Sequence, residues 1–226
     1  LQRPMRQAGM NRLNEVTRFS VGAVLLGAGR SERMGRPKLL LPWGRTTVLG
    51  QLLRQWTEIP AQQVAVVCGP VPAEIHGELE RLGFPAANRI INPEPERGMF
   101  SSIQCASAWT GWKPDLTHFV ISLGDQPHLR PETLRALIEF GAAHRDHICQ
   151  PLRGGRRRHP VLLPKAAFLA LAGGRAANLK EFLEERSGSL AGFESADQGL
   201  DIDLDTPADY DRARQRCFPA GETGNV

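Results

Sequence analysis

Residues 25–38 read LLGAGRSERMGRPK, an apolar run that breaks into three glycines, three arginines and a lysine. Just upstream, Val21–Leu26 (VGAVLL) is short, apolar and β-branched toward its start, the pattern of a strand buried on both faces. A glycine loop at the carboxyl end of such a strand points to a phosphate, because small side chains let backbone amides approach an oxyanion that bulk would hold away. Spacing excludes two common versions of this loop. A dinucleotide fingerprint needs a third glycine where Glu32 stands after Gly27 and Gly29. A Walker loop needs its lysine before serine or threonine, whereas Lys38 follows Pro37 and precedes Leu39. What remains is a cradle of Leu26, Gly27, Ala28 and Gly29, with Arg33 and Lys38 as charged clamps and Arg30 and Arg36 read as solvated.

Working outward, apolar strand-like runs alternate with amphipathic helical ones. A helix is expected after Thr46 or Thr47, a strand over Val64 to Cys68, a helix over Ala73 to Arg81 and a short strand near Arg89 to Asn92. NPEPERGMF forbids regular structure until Ser101 or Ser102 caps the next helix. THFVISLGD reads as a strand ending on Asp125, and Pro131 opens a helix with Glu132 in its first turn. HICQP is expected as a strand, GGRRR as a loop, HPVLLP as a strand, and Lys165 to Leu171 and Ala176 to Glu185 as helices. DIDLDTPADYDRARQR should give a short strand, an acidic loop and a closing helix from Pro207. The expected fold is α/β: a single doubly wound, mostly parallel sheet, Rossmann-like, spanning residues 20–214, with a flexible leader over 1–19 and a flexible tail over 215–226. In such sheets ligands bind outside the carboxyl ends of the strands, where both the Gly27 loop and Asp125 fall.

Bulk composition narrows the function classes. The chain has 226 residues, 41% hydrophobic, enough to bury a core. The net charge of +4 suits anionic ligands, yet only 6% of residues are aromatic and no basic helix or zinc-finger spacing accompanies the charge, so nucleic acid is not an expected partner. The four cysteines lie far apart with no CxxC pair, which fits reduced thiols in a cytoplasm rather than a zinc site or disulfide framework. No apolar run approaches the roughly 20 residues that span a bilayer, so no membrane partner is expected.

Five segments, in order, resemble the nucleotidyltransferases of the molybdenum cofactor group, cytidylyltransferases and molybdopterin guanylyltransferases, within the wider nucleotide-diphospho-sugar transferase type of fold. LGAGRSERMGRPKLLLP matches the family opening LAAGxSxRMGxxK, with Gly27 in place of an alanine. RGMFSSI is similar to the family's GMSSSL, SLGDQP to GDxP, HPVLL to HPV and DIDLDTPAD to DIDTPED, so that the resemblance covers Ser20 to Arg214. Two departures lie in the acceptor half: GGRAAN has Gly174 and Asn178 where the family's GDxGAR has an acid and an arginine, and Arg158 replaces the glycine before HP.

The resemblance implies an enzyme in which a phosphate oxygen of the acceptor attacks the α-phosphorus of a nucleoside triphosphate and releases pyrophosphate. It implies CTP or GTP as nucleotide, Mg2+ or Mn2+ as cofactor, molybdopterin or the molybdenum cofactor as acceptor, and a molybdoenzyme as a downstream partner. A sugar- or alcohol-phosphate nucleotidyltransferase, or a non-catalytic nucleotide-binding accessory protein, are the alternatives. Asp125, an acid at a buried strand end, is the first metal ligand expected; the second is Asp205, with Asp203 as the other choice. Arg33 and Lys38 would hold the β- and γ-phosphates. Gly98, Met99, Ser101 and Ser102 would bind nucleotide or acceptor at a helix start, or else Ser101 and Ser102 simply cap it. Gly69 either admits the base or is a turn residue, and His159 faces the acceptor in the resembled family or is structural.

Overall fold

The computed structural model describes residues 18–219 apart from 60, 71 and 72. The leader expected over 1–19 therefore lies outside the described residues except for Arg18 and Phe19, and Phe19 is already part of the fold, its ring 4.4 Å from that of His118. The strands are β1 (Val21–Leu26), β2 (Pro42–Trp43), β3 (Thr46–Thr47), β4 (Ala61–Cys68), β5 (Arg89–Ile91), β6 (His118–Leu123), β7 (Ile148–Arg153), β8 (Arg156–Arg157), β9 (Val161–Pro164) and β10 (Leu190–Glu194). The helices are α1 (Val48–Glu58), α2 (Ala73–Arg81), α3 (Met99–Ala108), α4 (Pro131–Ala143), α5 (Lys165–Ala170), α6 (Leu179–Glu184) and α7 (Pro207–Cys217).

The main sheet runs β10-β7-β9-β6-β1-β4-β5, with β8 paired to β7 and a separate β2–β3 hairpin. All pairs along β6-β1-β4-β5 are parallel, as is β10 with β7, while β9 runs antiparallel to both β6 and β7. The sheet is mostly parallel, as expected, and helices cover both faces. Alternation along β1 feeds the two faces: Val21, Ala23 and Leu25 pack with Leu49, Leu52 and Trp56 of α1, while Val24 and Leu26 pack with Phe100 and Ile103 of α3. Each large aliphatic chain removed from water here contributes about 2 kcal/mol.

Several local expectations are corrected. α3 starts at Met99 with Gly98 as its N-cap (φ 91°), so Ser101 and Ser102 stand inside its first turn. No strand forms at DIDL; a 3-10 turn over Gln198–Asp201 runs into irregular chain. A parallel edge strand, β10, appears where none was expected, and α7 continues past residue 214 to Cys217. Beyond it, Phe218 lies edge-on to Trp43, so the beginning of the expected tail is packed.

β1 and β6 are parallel neighbours with Leu26 opposite Leu123, so the glycine loop and Gly124-Asp125 leave the sheet side by side. A Cβ on Gly124 would lie 2.4 Å from the Leu26 carbonyl oxygen, so only a glycine fits in front of the acid.

Candidate active site

The two loops and the start of α3 enclose a cleft of about 510 Å³ at the carboxyl ends of the central strands. Leu26, Gly27, Ala28, Gly29, Arg33, Lys38, Gly98, Met99, Ser102, Asp125 and Asp205, which the sequence singled out from distant segments, all line it. Gly69, Ser101 and His159 do not.

The glycine loop is shaped by one strained residue. Ser31 adopts a left-handed conformation (φ 54°), uncommon for a residue with a Cβ and typical of functional sites. Its Oγ accepts the backbone N–H of Lys38 at 3.0 Å, folding the loop back so that Lys38 returns to the strand end. The Gly27 N–H is spent on the Val67 carbonyl (2.8 Å), while Ala28 and Gly29, the small residues that follow, line the cleft. Ser31 was not among the expected site residues. Its signal was its place between two glycine turns, where a hydroxyl can replace a backbone partner.

The charged centre is compact. Lys38 Nζ lies 3.2 Å from Asp125 Oδ2 and 3.6 Å from Asp205 Oδ1, so one ammonium bridges two carboxylates from distant segments of the chain. Arg33 reaches Asp205 Oδ2 at 3.0 Å. Asp125 Oδ1 is buried with no hydrogen-bond partner among the described residues. Asp203 stands close enough to this pair that burial, then the charges of Asp125 and Asp205, push its carboxyl above the ordinary range. Among the described residues no three His, Cys, Asp or Glu side chains form a ready-made metal cage. The donor set is therefore a pair of hard carboxylates with one orphaned oxygen, which fits a cation that completes its shell with water and phosphate.

The residues off the cleft have other partners. The Ser101 hydroxyl donates toward Gly98 O (2.8 Å) and accepts from the buried Asn92 Nδ2 (2.8 Å), which also donates to Ser102 Oγ (3.0 Å). Asn92 thereby fixes the first turn of α3, a role its NP context in the sequence did not disclose. Gly69 is buried with its carbonyl 3.2 Å from His76 Nε2. Burial lowers the His159 pKa to about 4, and its Nδ1 is sealed from solvent without a partner among the described residues. Arg30, read as solvated, lines the cleft and lies 3.5 Å from Glu96 on the α3 side. In the departing segment, Asn178 caps α6 by accepting the Glu181 N–H at 3.0 Å.

The family model of the MobA-like NTP transferase domain matches residues 23–190. The chain belongs to this family. The MobA-like match takes in the glycine loop, Lys38 and Asp125, while Asp203 and Asp205 lie beyond its end. Membership makes the protein a nucleotidyltransferase, with a nucleoside triphosphate and a phosphorylated acceptor as its substrate classes. Over 87% of its length the chain is 26% identical to the molybdenum cofactor cytidylyltransferase of Escherichia coli (strain K12), covering 97% of that protein. Among solved structures, it is similar to Rv0371c from Mycobacterium tuberculosis H37Rv at 29% identity and a TM-score of 0.69, over 87% of this chain and 98% of that one. A manganese complex of Rv0371c aligns at 27% identity and a TM-score of 0.63, again over 87% and 98%. No helix among the described residues is long and apolar enough to cross a membrane.

Proposed function

We propose that this MobA-like protein is a Mg2+-dependent cytidylyltransferase that moves CMP from CTP to the terminal phosphate of molybdopterin or its metal-loaded form. The observation that carries the reading is the Lys38 ammonium bridging Asp125 and Asp205 beside the amide cradle, with the second oxygen of Asp125 unpartnered. Asp125 and Asp205, with Asp203 as the alternative to Asp205, would hold the cation, which when bound neutralises triphosphate charge at the reacting phosphorus. Mn2+ is the alternative ion, in keeping with the manganese complex of Rv0371c.

An acceptor phosphate oxygen forms the new bond to the α-phosphorus as the bond to the β-phosphate oxygen breaks, and pyrophosphate carries the displaced electron pair away. The acceptor oxygen is already ionised, so no side chain has to remove a proton. The amides of Ala28 and Gly29 orient the triphosphate, and Lys38 and Arg33 stabilise the charge that builds on the leaving pyrophosphate. Gly98, Met99 and Ser102 present the N-terminus of α3 to the nucleotide. CTP rather than GTP follows the cytidylyltransferase relative. A molybdoenzyme receiving the product would be the downstream partner.

Arg158 and the helix-capping Asn178 favour a second acceptor, a sugar or alcohol phosphate, because both differ from the residues of the resembled acceptor half. Mass-spectrometric detection of the conjugate from each candidate acceptor separates the two readings. Pyrophosphate release that needs CTP, acceptor and Mg2+ and disappears in Asp125→Ala supports catalysis; tight CTP binding without turnover would leave a nucleotide-binding accessory protein.

A further inference from the structure

The acidic loop is fastened at a point that the reaction itself does not use. Arg158 Nε and Nη2 both donate to Asp201 Oδ1, at 3.0 and 2.7 Å, and Arg153 Nε lies 3.4 Å from Asp201 Oδ2. Both guanidinium groups stand on the β7–β8 hairpin, which Gly154 and Gly155 close with φ of 56° and 73°. The hairpin end is itself held: Arg158 N–H donates to Pro151 O at 2.9 Å and Gly155 N–H to Glu194 at 2.7 Å. On the other side of the loop, His128 Nε2 lies 3.1 Å from the carbonyls of both Gly199 and Ile202. Residues 202–205, which carry Asp203 and Asp205, have no regular structure of their own between these anchors and the N-cap of α7.

We infer that Arg158, assisted by Arg153, is a positioning residue: through Asp201 it sets where the 202–205 loop presents its carboxylates to the divalent cation. This rests on Asp125 and Asp205 being the cation-holding pair proposed above. A half-exposed ion pair adds little to global stability. Its value is local, because a planar guanidinium fork fixes direction as well as distance for a loop lacking backbone ladder bonds. A carboxylate that must meet an ion within tenths of an ångström loses affinity when the contacts orienting it are removed.

The test is Mn2+ binding to the full chain without nucleotide, read from the EPR signal of the free ion, with thermal melts alongside. Arg158→Ala and Asp201→Ala should each weaken Mn2+ binding by about 10-fold. The double variant should lose no more than either single one, since both delete the same contact. Arg158→Lys should restore part of the affinity. In turnover with saturating metal, the KM for CTP should stay unmoved while the metal requirement rises. Wild-type binding that Arg158→Ala leaves unchanged, or losses that simply add, would overturn this inference and leave the Asp125–Asp205 pair standing. Wild-type binding that is absent, or insensitive to Asp125→Ala, would overturn both. Should Arg158→Ala fail to fold, Arg158→Gln, which keeps the stem, carries the same comparison.

Discussion

Gly124 shows how little freedom the site tolerates at a single residue. Its missing Cβ lets the β6 loop pass the Leu26 carbonyl, and an added methyl would need backbone to move. Gly124→Ala should cost about 1–3 kcal/mol in denaturant unfolding, the usual penalty of overpacking. It should cost more in turnover than in stability, because the strain falls between Asp125 and the glycine loop. His159 belongs to the same scale. Burial holds its pKa near 4, and burial also lowers those of His118 and His128. Below about pH 6.5 the unfolded chain takes up protons that these folded imidazoles refuse, so stability falls as pH drops from 6.5 toward 4. Asp203, whose pKa is raised, contributes the opposite sign but is one group against three. Melting temperature should therefore decline over that interval, and His159→Asn should flatten the decline; a flat wild-type profile would contradict the buried state. Asp125 was legible in the sequence because an acid that ends a buried apolar strand is costly unless a cation meets it. The burial of His159 was not, since its sealed Nδ1 depends on packing that no local pattern encodes.

At the level of elements, α7 illustrates what a sequence can disclose about a terminus. Thr206, Pro207 and Asp209 form a capping box in which the Thr206 hydroxyl and the Asp209 carboxylate satisfy each other's backbone N–H groups. Replacing Thr206 by alanine should cost about 1 kcal/mol by thermal melting. Because the cap adjoins Asp205, the metal concentration for half-maximal turnover should rise as well, and a stability loss without that rise would detach the cap from the site. The helix start was readable from TPAD. The strand expected at DIDL was not there because alternation of acids and aliphatics imitates a period of two, while the Ile202 carbonyl faces His128 instead of a neighbouring strand. β10 escaped notice for the converse reason: LAGFE is half-exposed, contains a glycine and lies at the sheet edge, so it lacks the continuous apolar signal of β1.

For the whole molecule, a mostly parallel sheet follows from alternating strand and helix segments, but the reversed direction of β9 does not. It arises because the β7–β8 hairpin turns the chain before Val161, and a glycine pair in an arginine-rich stretch reads equally well as an open loop. The packing of the carboxyl-terminal region on the β2–β3 hairpin was similarly hidden. Phe218 lies 5.7 Å from Trp43, ring to ring, and the Tyr210 hydroxyl donates to Pro42 O. That hairpin follows Lys38 in the chain, while α7 follows Asp205, so these two contacts join the supports of both charged residues. Phe218→Ala should lower the melting temperature and shift the Trp43 emission as its ring becomes wetter; unchanged emission would show that the contact does not shield the indole.

Leu26 opposite Leu123, with bare backbone between their loops, has a consequence for substrate choice. Main-chain contact sets the spacing between the glycine loop on one side of the cleft and Asp125 on the other. A nucleoside diphosphate, one phosphate short, would leave one side without its anion and should compete poorly with the triphosphate.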